Sequence, residues 1–172
     1  MARFACLMIL VLGLLAGCSP EYNWRQVPVA GGMVRATFPD KPETAKRSLN
    51  FAGHAVEFTL TAATVNGAVF AVGYAPLPAA LADDEAARTK MGQTVMASFY
   101  QNLGAEIPAE LPAFGEAFEI MGKDAGKGAM RLQAMTWVLP HALVEGMVTA
   151  RADAFPESQA REFLKALAAG VR

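Results

Sequence analysis

The chain has 172 residues, 53% of them hydrophobic and 18% charged, with a formal net charge of −1. That length suits one domain with one core, and the apolar content excludes a disordered chain. With 15 basic and 16 acidic residues there is no basic field to draw in nucleic acid.

The chain opens with a secretion pattern. Arg3 precedes an apolar run from Phe4 to Leu15, shorter than the about 20 residues that a membrane-spanning helix needs. Leu15-Ala16-Gly17-Cys18 follows, and this resembles the lipobox of bacterial lipoproteins. The resemblance implies cleavage after residue 17, with the Cys18 thiol and amino group carrying lipid. Several acyl chains together give stable anchoring where one does not. Ser19 rather than Asp follows the cysteine, which implies sorting to the inner leaflet of the outer membrane, facing the periplasm. Cys6 falls in the removed segment, so the mature chain is left without a free thiol, a disulfide or a thiolate metal site.

Residues 18–23 form the lipidated terminus and a short tether, and residues 24–172 form one globular domain. Tyr22 and Trp24 stand just after the anchor, where aromatic rings suit the headgroup interface; a place in the core is the other reading of Trp24. From Trp24 to Phe38 runs a β arm with a Gly31-Gly32 turn, followed within it by Met33 to Phe38 as a strand ended by Pro39 and Pro42, the whole counting as one unit of the strand order. Strands are expected around Thr44 to Phe51 and from His54 to Val65, with Gly53 as the break between them. Asn66-Gly67 signals a two-residue hairpin that pairs Val65 with Ala68 and sets Leu60 opposite Gly73. Both faces of that hairpin carry apolar side chains, so each face needs a cover.

A helix capped by Asp83 or Asp84 runs to about Leu103, with Met91, Val95, Met96, Phe99 and Leu103 as its apolar stripe. Gly92 weakens it. A loop from Ala105 to Ala113 follows, then strands at Glu116 to Met121, Gly128 to Val138 and Leu143 to Ala152. A last helix begins near Pro156 and buries Ala160, Phe163, Leu164 and Leu167. The expected order is β-β-β-β-α-β-β-β-α: an α+β fold with an antiparallel sheet of about six or seven strands flanked by helices. With the Phe38-Pro39-Asp40-Lys41-Pro42 corner and the Asn66-Gly67 hairpin, this order resembles the PsbP-like α/β/α sandwich, which includes small lipoproteins of the DcrB kind. The resemblance implies a binding or assembly factor and supplies no catalytic residues.

The chemistry-bearing residues point the same way. Ser19, Ser48, Ser98 and Ser158 sit in no nucleophile motif. His54 and His141 lack companions for a metal site, and His54 and Glu57 point to opposite faces of an extended strand. The methionines are scattered, as core fillers are. Gly122 to Gly128 is one residue short of a phosphate loop and reads as a hairpin turn. Asp83-Asp84-Glu85 reads as helix capping. The expectation is a non-enzymatic envelope lipoprotein without cofactor, nucleotide or nucleic acid, held to the membrane through Cys18 and binding an envelope protein or helping an assembly. The alternative is a carrier of a small apolar ligand or lipid.

Overall fold

The computed structural model describes residues 21–51, 54–124, 126 and 128–171. The lipobox, Cys18, Gly53, Ala125 and Lys127 lie outside the described residues. Eight strands and three helices follow in the order β1 (Arg25–Val29), β2 (Val34–Phe38), β3 (Glu43–Phe51), β4 (His54–Val65), β5 (Ala68–Pro76), α1 (Ala79–Ala82), α2 (Glu85–Asn102), β6 (Phe118–Asp124), β7 (Gly128–Val138), β8 (Ala142–Arg151) and α3 (Glu157–Gly170). No helix among the described residues is long and apolar enough to cross a membrane.

The α+β class is as expected, but the strands divide differently. Six form one antiparallel sheet in the order β3-β4-β5-β8-β7-β6, while β1 and β2 pair only with each other. Five strands therefore precede the helices, because the arm read as one unit is two strands. The turn between them holds Ala30, Gly31 and Gly32 at positive φ, which reverses the chain too sharply for a continuous strand. The Asn66-Gly67 hairpin has the expected register, with Val65 on Ala68 and Leu60 on Gly73. Both turn residues have positive φ, as a tight hairpin between right-twisted strands demands.

The two faces of the large sheet are covered unequally. On one, α3 and the β1-β2 pair close over the central strands, and Phe38, Phe70 and Phe163 meet at ring distances of 5.5 and 5.6 Å. Ala160, Phe163, Leu164 and Leu167 are buried, as their spacing predicts. Gly146 of β8 lets α3 approach, since a Cβ there would lie 2.4 Å from Leu167 Cδ2.

The other face is covered chiefly by α2, with Leu81 of α1 and with Leu111 and Phe114 of the following loop beside it, and α2 crosses it diagonally. Its N-terminal half packs through Met91 and Val95 on Val56, Ala75 and Leu143. Its C-terminal half packs through Met96, Phe99, Tyr100 and Leu103 on Phe118, Ile120, Leu132 and Ala134, at the opposite end and edge of the sheet. The Asp84 carboxylate caps the helix by accepting from the Ala87 N–H at 2.9 Å. Gly92 lets the helix pack close to the sheet, because a Cβ there would lie 2.5 Å from Val138 Cγ2. The diagonal leaves β4, β5 and β8 uncovered toward the Asn66-Gly67 end.

Candidate functional site: a groove with a buried acid

The uncovered part of the sheet is a groove of about 1030 Å³, walled on one side by β3 and β4 and on the other by α2 and β7. Its floor is apolar. Phe58, Leu60 and Val69, on β4 and β5, and Met147 on β8 are only half-buried there, whereas their counterparts on the α3 face, Phe70, Val72 and Val148, are buried. The volume lies at the upper end of the range for small-molecule sites, about 300–1,000 Å³. Arg47 and Arg151 are the charged side chains on its rim, and Ser98 and Asn102 of α2 add neutral polar groups. The guanidinium of Arg151 is held by Asp153, at 2.6 and 3.0 Å.

One acid reaches this lining. Pairing across the sheet aligns Ala45, Leu60, Gly73, Glu145 and Thr136 in one row, each on a different strand and all on the groove face. Glu145 is 3% exposed and Thr136 is fully buried. The Glu145 carboxyl leans over Gly73, where a Cβ would lie 2.3 Å from its Oε1. Glycine at position 73 thus makes the space that the acid occupies. Glu145 Oε2 and Thr136 Oγ1 are buried and, among the described residues, neither has a hydrogen-bond partner. Burial raises the Glu145 carboxyl to about 8, so it is protonated and uncharged at neutral pH. Among the described residues no cation counters that: Arg47 is on the outermost strand, and Arg151 is six positions along β8 and engaged with Asp153.

A buried group left without a partner costs about 1–3 kcal/mol. Of Glu145 and Thr136, the acid lines the groove, whereas the threonine is buried beside it and outside the lining; an unpartnered acid at the wall of an apolar groove is poor architecture and good recognition chemistry. The protonated acid can donate one hydrogen bond, and the threonine hydroxyl can donate or accept. Sequence reasoning missed Glu145. The available signal was an acidic residue in the middle of the apolar run Leu143 to Val148, where an outward-facing position would be polar on both neighbours of the same face, and here those neighbours are Leu143 and Met147.

The other singled-out residues fall elsewhere. Tyr22 and Trp24 stack on each other with centroids 6.0 Å apart, and Trp24 meets Phe70 edge-on at 6.3 Å. Both are half-buried on the α3 face, so each ring has a packed side and a wet side. His54 opens β4 and His141 is exposed between β7 and β8. Among the described residues no three His, Cys, Asp or Glu side chains gather as metal ligands. Gly122 belongs to β6, which pairs with β7 as a hairpin, and a Cβ on it would strike the Leu103 carbonyl at 2.2 Å. Ser98 donates to the Val95 carbonyl within α2.

On the α3 face, Arg131 bridges Glu119 and Glu157 and lies 4.5 Å over the Phe155 ring. Burial raises the Glu119 carboxyl, but hydrogen bonds from Arg131 and Gln133 and the arginine charge outweigh it and hold the group below its ordinary value. This cluster ties α3 to β6 and β7; the Arg131 Nε–H is buried and, among the described residues, has no hydrogen-bond partner, but Arg131 lies on the α3 face and outside the groove lining.

No protein-family model matches the chain, and comparison with curated proteins and with solved structures produced no match. The functional reading therefore stands on the groove itself.

Proposed function

We propose that the chain is a lipid-anchored envelope protein of PsbP-like architecture that binds a small, largely apolar molecule in the groove between its sheet and α2. The observation that carries this reading is the uncovered apolar floor of a cavity of about 1030 Å³ on a sheet whose other face is closed over its central strands by α3 and the β1-β2 pair. A large apolar surface left open in a folded domain marks a binding site. The residues named in the groove supply contact and orientation, and none forms a nucleophile–base pair, so the reading is of a binder rather than an enzyme.

The path of the chain supports a membrane-derived ligand. Glu21 accepts a hydrogen bond from Asn66, and the adjacent Gly67 lines the groove. Cys18 is three residues before Glu21, a reach of at most about 11 Å. A membrane holding lipidated Cys18 would face the open end of the groove, where Asn66-Gly67, Gly126 and Arg151 stand. On this reading the inner leaflet of the outer membrane supplies the surface, and Tyr22 and Trp24 present their wet edges to it.

A second reading, an assembly factor that takes up a protein partner, is favoured by β3. It is a nine-residue strand, largely exposed, that forms the edge of the sheet among the described residues. Such an edge accepts an added strand. Native mass spectrometry of the purified chain separates the two. Adduct masses of lipid size that disappear in a Leu60→Trp variant, which fills the groove, support the carrier; a clean unliganded mass together with a reproducible crosslinked protein from intact cells supports the assembly factor.

A further inference from the structure

The groove contains more than an apolar surface. Its lining has one acid, Glu145, with the hydroxyls of Thr64 and Thr149 nearer the open end. Glu145 and Thr136 are direct cross-strand partners on β8 and β7, facing the same side. Gly73 on β5 gives the carboxyl its bed. The pair lies toward the end of β8 that α2 crosses, with Met147, Thr149 and Arg151 leading from it to the open end along the same face. A ligand entering from the open end therefore passes Arg151, Thr149 and Met147 before it reaches Glu145.

We infer that Glu145 and Thr136 form a recognition site for the carbonyl of an acyl compound, an ester or an amide, whose hydrocarbon chain lies along the groove floor. This rests on the proposed ligand-binding role of the groove. The chemistry follows from the two unpartnered atoms. Glu145, held uncharged by its surroundings, donates its O–H to the carbonyl oxygen, and Thr136, buried beside it and outside the groove lining, can donate its hydroxyl to the other carboxyl oxygen and so orient the acid. A carbonyl satisfies the acid without bringing a charge into the groove. A buried cation would require the carboxylate form, and an alkane would leave the acid's O–H without a partner. Arg47 and Arg151, the charged residues of the lining, are at the rim and leave the floor neutral.

The test is displacement of the apolar fluorophore N-phenyl-1-naphthylamine from the purified full chain at about pH 6, using methyl decanoate, undecane and decylamine as competitors. The quantity read is the ratio of ester affinity to alkane affinity. It is expected to fall about tenfold in Glu145→Leu, the affinity equivalent of one buried hydrogen bond and its unmade partner. Glu145→Gln keeps a donor of similar size and holds the ratio within about twofold of the parent. Thr136→Val lowers it by about threefold. Circular dichroism melts of each variant establish that it is folded before the titration.

Unchanged ratios in Glu145→Leu overturn the inference, as does preferential binding of decylamine, which would make Glu145 a counter-ion. Failure of the fluorophore and of all three competitors to bind the folded parent chain overturns the groove reading itself. Binding of alkane and ester with no dependence on residue 145 leaves the groove reading standing and removes only the assignment of the polar pair.

Discussion

The two faces of the central sheet are built from similar residues and reach different ends. Toward α3, Phe38, Phe70, Phe163 and Leu167 are fully buried, with β1-β2 and α3 sharing the cover. Toward α2, Phe58, Leu60, Val69 and Met147 are equally apolar but half-buried, because one helix set diagonally cannot cover six strands. The first face holds the molecule together. The second retains surface that folding alone leaves exposed, and it houses the buried acid. Apolar character by itself does not distinguish a core from a binding surface; coverage does.

The largest expected difference between the faces is in stability. Phe163→Ala removes a ring packed against two others and should cost about 3–5 kcal/mol, whereas Leu60→Ala, with one side already open, should cost about 1 kcal/mol or less. Urea denaturation of both variants checks this, and equal losses would make the groove a closed core.

The buried acid gives the groove face a pH signature. Between the ordinary carboxylate value and about 8, folded Glu145 holds a proton that the unfolded chain releases. Stability due to this group is therefore greatest at acid pH, declines as pH rises through that window, and levels off above it. Glu145→Gln should come within about 1 kcal/mol of the parent near pH 5 and exceed it by about 4–5 kcal/mol near pH 9. Parallel pH–stability curves for the two would mean that the carboxyl is solvated.

A smaller effect joins two strands of the same face. Gly73→Ala places a methyl group in the space of the Glu145 carboxyl and should cost about 1–3 kcal/mol. Most of that loss should vanish when Glu145 is also Ala, and a double-mutant cycle measures the coupling. Additive effects would separate the two positions. Smallest is the Lys46–Glu57 pair across β3 and β4, 2.8 Å apart and exposed on both sides. Lys46→Ala should change stability by less than about 1 kcal/mol, an effect that salt reduces further.

What could be read from the sequence divides along the same line. The Asn66-Gly67 register, the Asp84 cap and the buried set on α3 rest on neighbours within a few residues, so spacing reveals them. The pairing of β5 with β8 joins strands about seventy positions apart along the chain, across both helices, and no local pattern encodes it. Glu145 over Gly73, and hence the polar position in the groove, exists only once that pairing is made. The diagonal of α2 is equally nonlocal. Its apolar stripe predicts that the helix covers a sheet, and the close approach at Gly92 and Gly122 decides which part. The separate β1-β2 sheet arises from the positive φ angles at Ala30 to Gly32, where the Gly31-Gly32 signal was present and only its consequence for sheet membership was hidden.

The methionines provide the most direct test of a ligand groove, because they mark both faces. Met91, Met130 and Met147 line the groove, Met135 belongs to the core toward α3, and Met33 and Met121 are exposed elsewhere. In the chain labelled with ¹³C at methionine methyl groups, titration with methyl decanoate should shift the signals of Met91, Met130 and Met147 and leave Met33, Met121 and Met135 in place. Shifts at Met33 or Met135 with the groove methyls unmoved would contradict ligand binding in the groove.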